Sequence, residues 1–302
     1  MLFCWGSNGR GQLGNNTVTQ SNVPITVTDM AGGVVAVAAH GDHTCAIRQG
    51  MLFCWGWNVY GQLGDGTTAN RNRPVTVTNM LSDVSAVATG VHHSCAIQQG
   101  EVFCWGDNTF GQIGDGTTAQ RNTPVAVSDL GGGITALAAG AHHNCAIRNG
   151  ALLCWGRNFF GQIGDGTTTN RGAPITVTNM ISGVTHVAAG NEHTCAIKDG
   201  TLFCWGYNDL GRLGDGTVIQ RTTPVTVAAP MNPGAIAVSA GGNHTLGLRG
   251  NRCLYSWGDN GYGQIGDGSS TNRSTPNLVS GGCVSDLPLG QRTFMPVVRR
   301  SS

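Results

Sequence analysis

Charge is scarce in this chain. Lys, Arg, Asp and Glu make up 11% of the 302 residues and leave a formal net charge of +1. Such a balance gives no general electrostatic footprint for polyanions, and no nucleic-acid partner is expected. Long apolar runs are missing too. None approaches the roughly 20 residues that a membrane helix needs, and no basic-then-apolar leader is present, so no membrane insertion is expected. No apolar stripe at helical spacing occurs anywhere. Glycine, at 48 residues, and cysteine, at 11, are abundant instead. Glycine at this density describes many tight turns and an all-β chain.

One phrase of about fifty residues recurs, densest from His43-Thr44-Cys45-Ala46-Ile47 to Cys54-Trp55-Gly56 and again from His93 to Trp105, His143 to Trp155 and His193 to Trp205. Self-similarity at this period marks solenoids, propellers or arrays, because one unit cannot bury its own apolar face. The runs Val84-Ser85-Ala86-Val87-Ala88, Ser94-Cys95-Ala96-Ile97, Val102-Phe103-Cys104-Trp105 and Pro74-Val75-Thr76-Val77-Thr78 read as strands separated by Gly, Asn and Asp clusters. Each copy thus carries four short strands, and residues 1–302 are taken as one domain. Met1 holds a position inside a strand shared with Met51, Glu101, Ala151 and Thr201, so a trimmed chain or a start within a longer reading frame is expected.

Between the second and third strands lie Gln49-Gly50, Gln99-Gly100, Asn149-Gly150 and Asp199-Gly200, dipeptides suited to a two-residue hairpin turn. Counting outward from Gln49-Gly50, Cys45 faces Cys54 as a non-hydrogen-bonded pair, whose Cα separation of about 4.5 to 5.5 Å suits a disulfide. The same count pairs Cys95 with Cys104, Cys145 with Cys154 and Cys195 with Cys204. Small buried thiols are the alternative. Cys4, Cys253 and Cys283 fall outside these hairpins and their pairing stays open, Cys253 with Cys283 being one arrangement. His43, Cys45 and Cys54 place three metal-ligand types on one face, but nothing at fixed spacing supplies a fourth, so no metal and no cofactor are expected. The repeated histidine is expected to bond a neighbouring unit's backbone.

The phrases Trp55-Gly56-Trp57-Asn58-Val59-Tyr60-Gly61-Gln62-Leu63-Gly64 and Ala88-Thr89-Gly90-Val91-His92-His93-Ser94-Cys95-Ala96-Ile97 resemble the repeat of the regulator of chromosome condensation family, in a bacterial, cysteine-containing variant. The resemblance covers nearly the whole chain and implies a β-propeller of four-stranded blades. Kelch propellers share the period, but their double glycine and tyrosine are absent. Trp5, Trp55, Trp105, Trp155, Trp205 and Trp257 mark six copies. Val284, Leu287, Gly290 and Thr293 align with Val84, Val87, Gly90 and His93. The sixth blade is therefore expected to be composite, 284–302 joined with 1–33, sealing the ring and removing exposed edges.

Family members include the nucleotide exchange factor for the small GTPase Ran, which inserts a β-wedge. Here the tryptophans are spaced 50, 50, 50, 50 and 52 residues apart, which leaves no room for a wedge. The ultraviolet-B photoreceptor of plants relies on clustered extra tryptophans, and only Trp57 lies outside the repeat positions. Asp65, Asp115, Asp165, Asp215 and Asp267, with Arg71, Arg121, Arg171, Arg221 and Arg273, recur in every copy. They read as structure, the aspartates accepting turn N–H groups and the arginines tying one blade to the next. Each Gly-Asp-Gly turn offers one carboxylate, too few for calcium.

The chain is therefore expected to be a disulfide-stabilised recognition propeller, not an enzyme. It is expected to be monomeric, exported or displayed at a surface (extracellular, cell-surface or periplasmic), and to bind a protein partner through rim loops. Inhibition of an enzyme is the alternative, since the family also includes a secreted bacterial propeller that inhibits β-lactamases; nucleotide exchange ranks behind both. Variation between copies locates the surface. In W-G-x-N-x-x-G the first variable position runs Ser7, Trp57, Asp107, Arg157, Tyr207, Asp259 and the second Gly9, Val59, Thr109, Phe159, Asp209, Gly261. Trp57, Val59, Arg157, Phe159 and Tyr207 are the candidate partner-binding residues. The third variable position, with Tyr60, Phe110, Phe160, Leu210 and Tyr262, is nearly uniformly apolar and is read as packing.

Overall fold

A computed structural model describes residues 1–283. All of its regular elements are strands. A two-stranded sheet of β1 (Phe3–Gly6) and β2 (Ser21–Thr26) comes first, then β3 (Val34–His40), β4 (His43–Arg48), β5 (Met51–Gly56) and β6 (Arg71–Thr76). The next sheet holds β7 (Val84–Thr89), β8 (His93–Gln98), β9 (Glu101–Gly106) and β10 (Arg121–Ala126). It is followed by β11 (Ile134–Ala139), β12 (His143–Arg148), β13 (Ala151–Gly156) and β14 (Arg171–Thr176). Then come β15 (Val184–Ala189), β16 (His193–Lys198), β17 (Thr201–Gly206) and β18 (Arg221–Thr226), and last β19 (Ala235–Ala240), β20 (His244–Arg249), β21 (Cys253–Gly258) and β22 (Arg273–Cys283). Each group of four is one antiparallel meander, the blade of a propeller. The composite sixth blade rests on 284–302, outside the described residues.

The hairpin register follows the turns. Gln49 and Gly50 both take positive φ, 51° and 76°, as a type I′ turn requires. Arg48 then faces Met51, Ile47 faces Leu52, Ala46 faces Phe53 and Cys45 faces Cys54. Disulfides join Cys45–Cys54, Cys95–Cys104, Cys145–Cys154 and Cys195–Cys204, each with a Cα separation of 4.1 Å. A fifth bond joins Cys253 to Cys283 and ties β21 to β22. Cys4 is free, and burial pushes its thiol up to about 11.

The core lies between blades. Cys45, Ile47, Leu52 and Cys54 of one blade pack with Ala96 and Trp105 of the next, and the cluster recurs around Trp155, Trp205 and Trp257. Each tryptophan ring is fully buried, and its N–H donates to a carbonyl in the preceding repeat, as Trp105 Nε1 does to Gln62 O at 2.9 Å. Glycine is required where the ring arrives, because a Cβ on Gly64 (φ +69°) would lie 2.6 Å from Trp105 Nε1.

Two sequence expectations about these contacts are corrected. The buried histidines His43, His93 and His143 bond side chains, not backbone: His43 Nε2 meets Ser94 Oγ at 2.8 Å, His93 Nε2 meets Asn144 Oδ1 at 3.0 Å and His143 Nε2 meets Thr194 Oγ1 at 2.8 Å. Asn144 Nδ2 donates to Gln112 O, which leaves Oδ1 as the acceptor and puts the proton of His93 on Nε2. The arginines bond within their own repeat. Arg71 pairs with Asp65 six residues upstream, while Asp65 accepts from the N–H and hydroxyl of Thr67. Ties between blades come instead from the tryptophans, the histidines and the bond from Gly66 N to Asn122 O.

Candidate protein-recognition site

Antiparallel order sends the first-to-second and third-to-fourth strand connections of every blade to one end and the type I′ turns to the other. At the first end the long loop is held from inside by the constant asparagine. Asn58 is fully buried; its Nδ2 donates to Asp65 Oδ1, Thr67 O and Ala69 O, and its Oδ1 accepts from Leu63 N. A buried amide satisfied this completely fixes the loop backbone. The flanking variable residues need contribute nothing to the fold.

Those residues assemble into a belt. Trp57 meets His92 edge-on at 4.9 Å, and Tyr60 stacks on His92 at 4.6 Å. His92 meets His142 at 5.9 Å, His142 meets Phe110 at 5.4 Å, and Phe110 meets Phe159 at 5.6 Å. The Arg157 guanidinium lies 4.9 Å from the Phe159 ring and 5.5 Å from that of Phe160, which packs on Tyr207 at 4.3 Å. Arg212 closes the series 4.8 Å from Tyr207, and Arg10 reaches Trp57 at the other end, 5.4 Å away. Four successive blades contribute, together with the loop between β1 and β2 that carries Arg10.

Of the five candidates, Trp57, Arg157, Phe159 and Tyr207 are joined in this belt. Val59 is 52% exposed and contributes no ring. Tyr60, Phe110 and Phe160, read from sequence as packing, are half-buried members of the belt, and Tyr262 is 91% exposed. Sequence reading missed His92, His142, Glu192 and Arg212. A signal for the first three was present: the residue before the constant histidine runs Asp42, His92, His142, Glu192, Asn243. Arg212 breaks a series that otherwise reads Gln12, Gln62, Gln112, Gln162 and Gln264.

The belt is polar beneath its rings. Arg157 is held by Glu192, whose second oxygen accepts from Gln162. Burial raises the Glu192 pKa against the pull of Arg157. Burial lowers His142 to about 4, helped by His92 and Arg157, and it lowers His92 as well, so both rings are neutral at pH 7. Neutral imidazoles and paired arginines over aromatic faces make a surface that is apolar in area yet rich in directional contacts, the composition of interface hot spots. Beside the belt, a cavity of about 390 Å³ opens between Phe160, Tyr207, His142, Asn191, Asn243 and Arg212. Among the described residues no cluster of three or more His, Cys, Asp or Glu is arranged to hold a metal.

Stacked four-stranded blades with a loop face define the class, a β-propeller. The chain matches the RCC1-like domain over residues 1–295 and belongs to that family. No curated protein sequence matched it. Among solved structures it is similar to human WBSCR16, at 24% identity and a TM-score of 0.82, over 92% of this chain and 75% of that one. It is also similar to yeast RCC1 (Prp20) bound to Kap60, at 22% identity and a TM-score of 0.78, over 92% and 71%. Prp20p from Saccharomyces cerevisiae, described with its binding properties to Gsp1p and histones, matches at 24% identity and a TM-score of 0.78, over 92% and 73%. At these identities the likeness establishes the fold. The expectation that the chain is not an enzyme is withdrawn: its structural neighbour Prp20 is a guanine nucleotide exchange factor, catalytic in the broad sense, so an RCC1-like fold does not mark a chain as noncatalytic.

Proposed function

We propose that this chain is a protein-recognition propeller whose loop face binds its partner through the belt from Trp57 to Arg212. The observation that carries the reading is continuity. Ring and guanidinium contacts run unbroken across four blades, through positions that the repeat leaves free and the half-buried rings of Phe110 and Phe160 between them. Aromatic and arginine side chains supply large contact area at small entropic cost, which is why they dominate interface energetics. That yeast RCC1 (Prp20) is described with Kap60 bound, and Prp20p with binding properties to Gsp1p and histones, supports a protein as the ligand class. Five disulfides are compatible with an oxidising extracellular environment and support an exported chain.

Photo-crosslinking from the two faces tests this reading. A benzophenone side chain at position 159 should trap a partner, and the same group at position 99, on a turn of the opposite face, should not. Trapping from position 99 alone would place recognition on the turn face.

A further inference from the structure

We propose that the cavity at the Arg212 end of the belt is a socket for one acidic side chain of the protein partner, with Arg212 as its recognition cation. The inference rests on the belt being the partner surface and adds the chemistry of one contact.

Arg212 is the exception in its series. The glutamines at its equivalent positions offer a main-chain carbonyl to the next blade's tryptophan and to a side chain beside it. Arg212 O does the same, accepting from Trp257 Nε1 at 3.0 Å and Thr245 Oγ1 at 2.9 Å. The fold therefore asks nothing of this side chain that glutamine does not give. A guanidinium has nonetheless been installed there at 2% exposure, and burying one is costly unless every donor is used. Its two terminal nitrogens are used, one donating to Asn243 Oδ1 at 2.9 Å and the other to Asp209. Its Nε is buried and has no partner.

The remaining wall fits a carboxylate on a short apolar stem. Phe160, Tyr207 and Leu210 line the cavity for the stem. Two carboxylates line it as well. Both Glu192 oxygens are engaged, by Arg157 and by Gln162, so Glu192 is neutralised in place. Asp209 is 44% exposed and shared between Arg212 and the Tyr207 hydroxyl, whose pKa it raises. Its negative charge opposes an entering carboxylate. Removing its charge should therefore strengthen capture.

The test is titration of the whole chain with blocked single residues, followed by the NMR signals of the Arg212 Nε–H and the Asn243 amide. N-acetylglutamate methylamide should shift both saturably, while the neutral glutamine analogue and N-acetylalanine, which carries a backbone carboxylate, should not. Arg212→Gln restores the residue of the other copies, so it should fold normally and weaken binding by about tenfold or more. Asp209→Asn should tighten it several-fold. Equal response to the glutamine analogue or to N-acetylalanine, glutamate binding that survives in Arg212→Gln, or weaker binding in Asp209→Asn would each overturn the socket. Trp57→Ala and Phe159→Ala should leave probe binding intact, so the two readings fail separately. Loss of the probe effect alone removes the socket, and partner binding indifferent to Trp57 and Phe159 alone removes the belt.

Discussion

Replacing Trp105 by alanine tests how the blades are joined. The ring is fully buried and packs on the Cys45–Cys54 disulfide, Ile47, Leu52, Leu63 and Val77 of the neighbouring blade. Losing it removes apolar burial from both sides of one blade interface and leaves a cavity, a change that costs about 3 to 5 kcal/mol. The lost hydrogen bond adds little, because Gln62 O still accepts from Ser94 Oγ at 2.9 Å. Trp105→Phe should therefore recover most of the loss. The control is Trp57→Ala: that ring is half-buried on the loop face and outside the interblade clusters, so about 1 kcal/mol or less is expected. Urea unfolding followed by circular dichroism measures all three. Because repeat arrays unfold outside the two-state limit, midpoints should be compared alongside extrapolated free energies. A Trp105→Ala protein within about 1 kcal/mol of the parent, or a Trp57→Ala protein equally damaged, would refute the assignment of packing to one tryptophan and surface to the other.

Three further outcomes follow. Burial holds His43 at about 3, His93 at about 4 and His143 at about 3, so the native rings stay neutral while the unfolded chain takes up protons below about 6.5. Stability should fall as pH drops from 6.5 towards 4.5, by up to about 4 kcal/mol per pH unit for the three together; a melting temperature flat across that window would contradict their burial. Under native conditions a reductant should open Cys253–Cys283 first, because Cys283 is exposed while the eight hairpin cysteines are not, and mass mapping of alkylated peptides reads the order. After complete reduction the loss should be about 2.7 kcal/mol per hairpin bond and about 3.7 kcal/mol for Cys253–Cys283, the longer loop; eight free hairpin thiols in oxidatively prepared native protein would contradict the register.

Much of the fold is legible in the sequence because hairpin geometry is local. A two-residue turn with both φ angles positive dictates every pair down to Cys45 and Cys54, and no tertiary information enters. Cys253 and Cys283 lie 30 residues apart across a pairing whose register shifts at two bulges, so counting could not reach them. The site divides in the same way. Trp57, Arg157, Phe159 and Tyr207 stand out because they vary where asparagine and glycine do not. Tyr60, Phe110 and Phe160 look like core because they are uniformly apolar, and only the fold shows that their neighbours are surface rings. His92 and His142 come from a different loop, brought to the belt by antiparallel order, and Glu192 reaches Arg157 across a blade boundary.

Recognition by the loop face is tested most directly by affinities of alanine variants for the partner trapped from position 159. Trp57→Ala, Phe159→Ala and Tyr207→Ala should each weaken binding by more than about 1 kcal/mol while circular dichroism and melting remain those of the parent. Normal binding by all three, together with loss of binding when the turns at Gln49-Gly50 and Gln99-Gly100 are altered, would show that the partner sits on the opposite face.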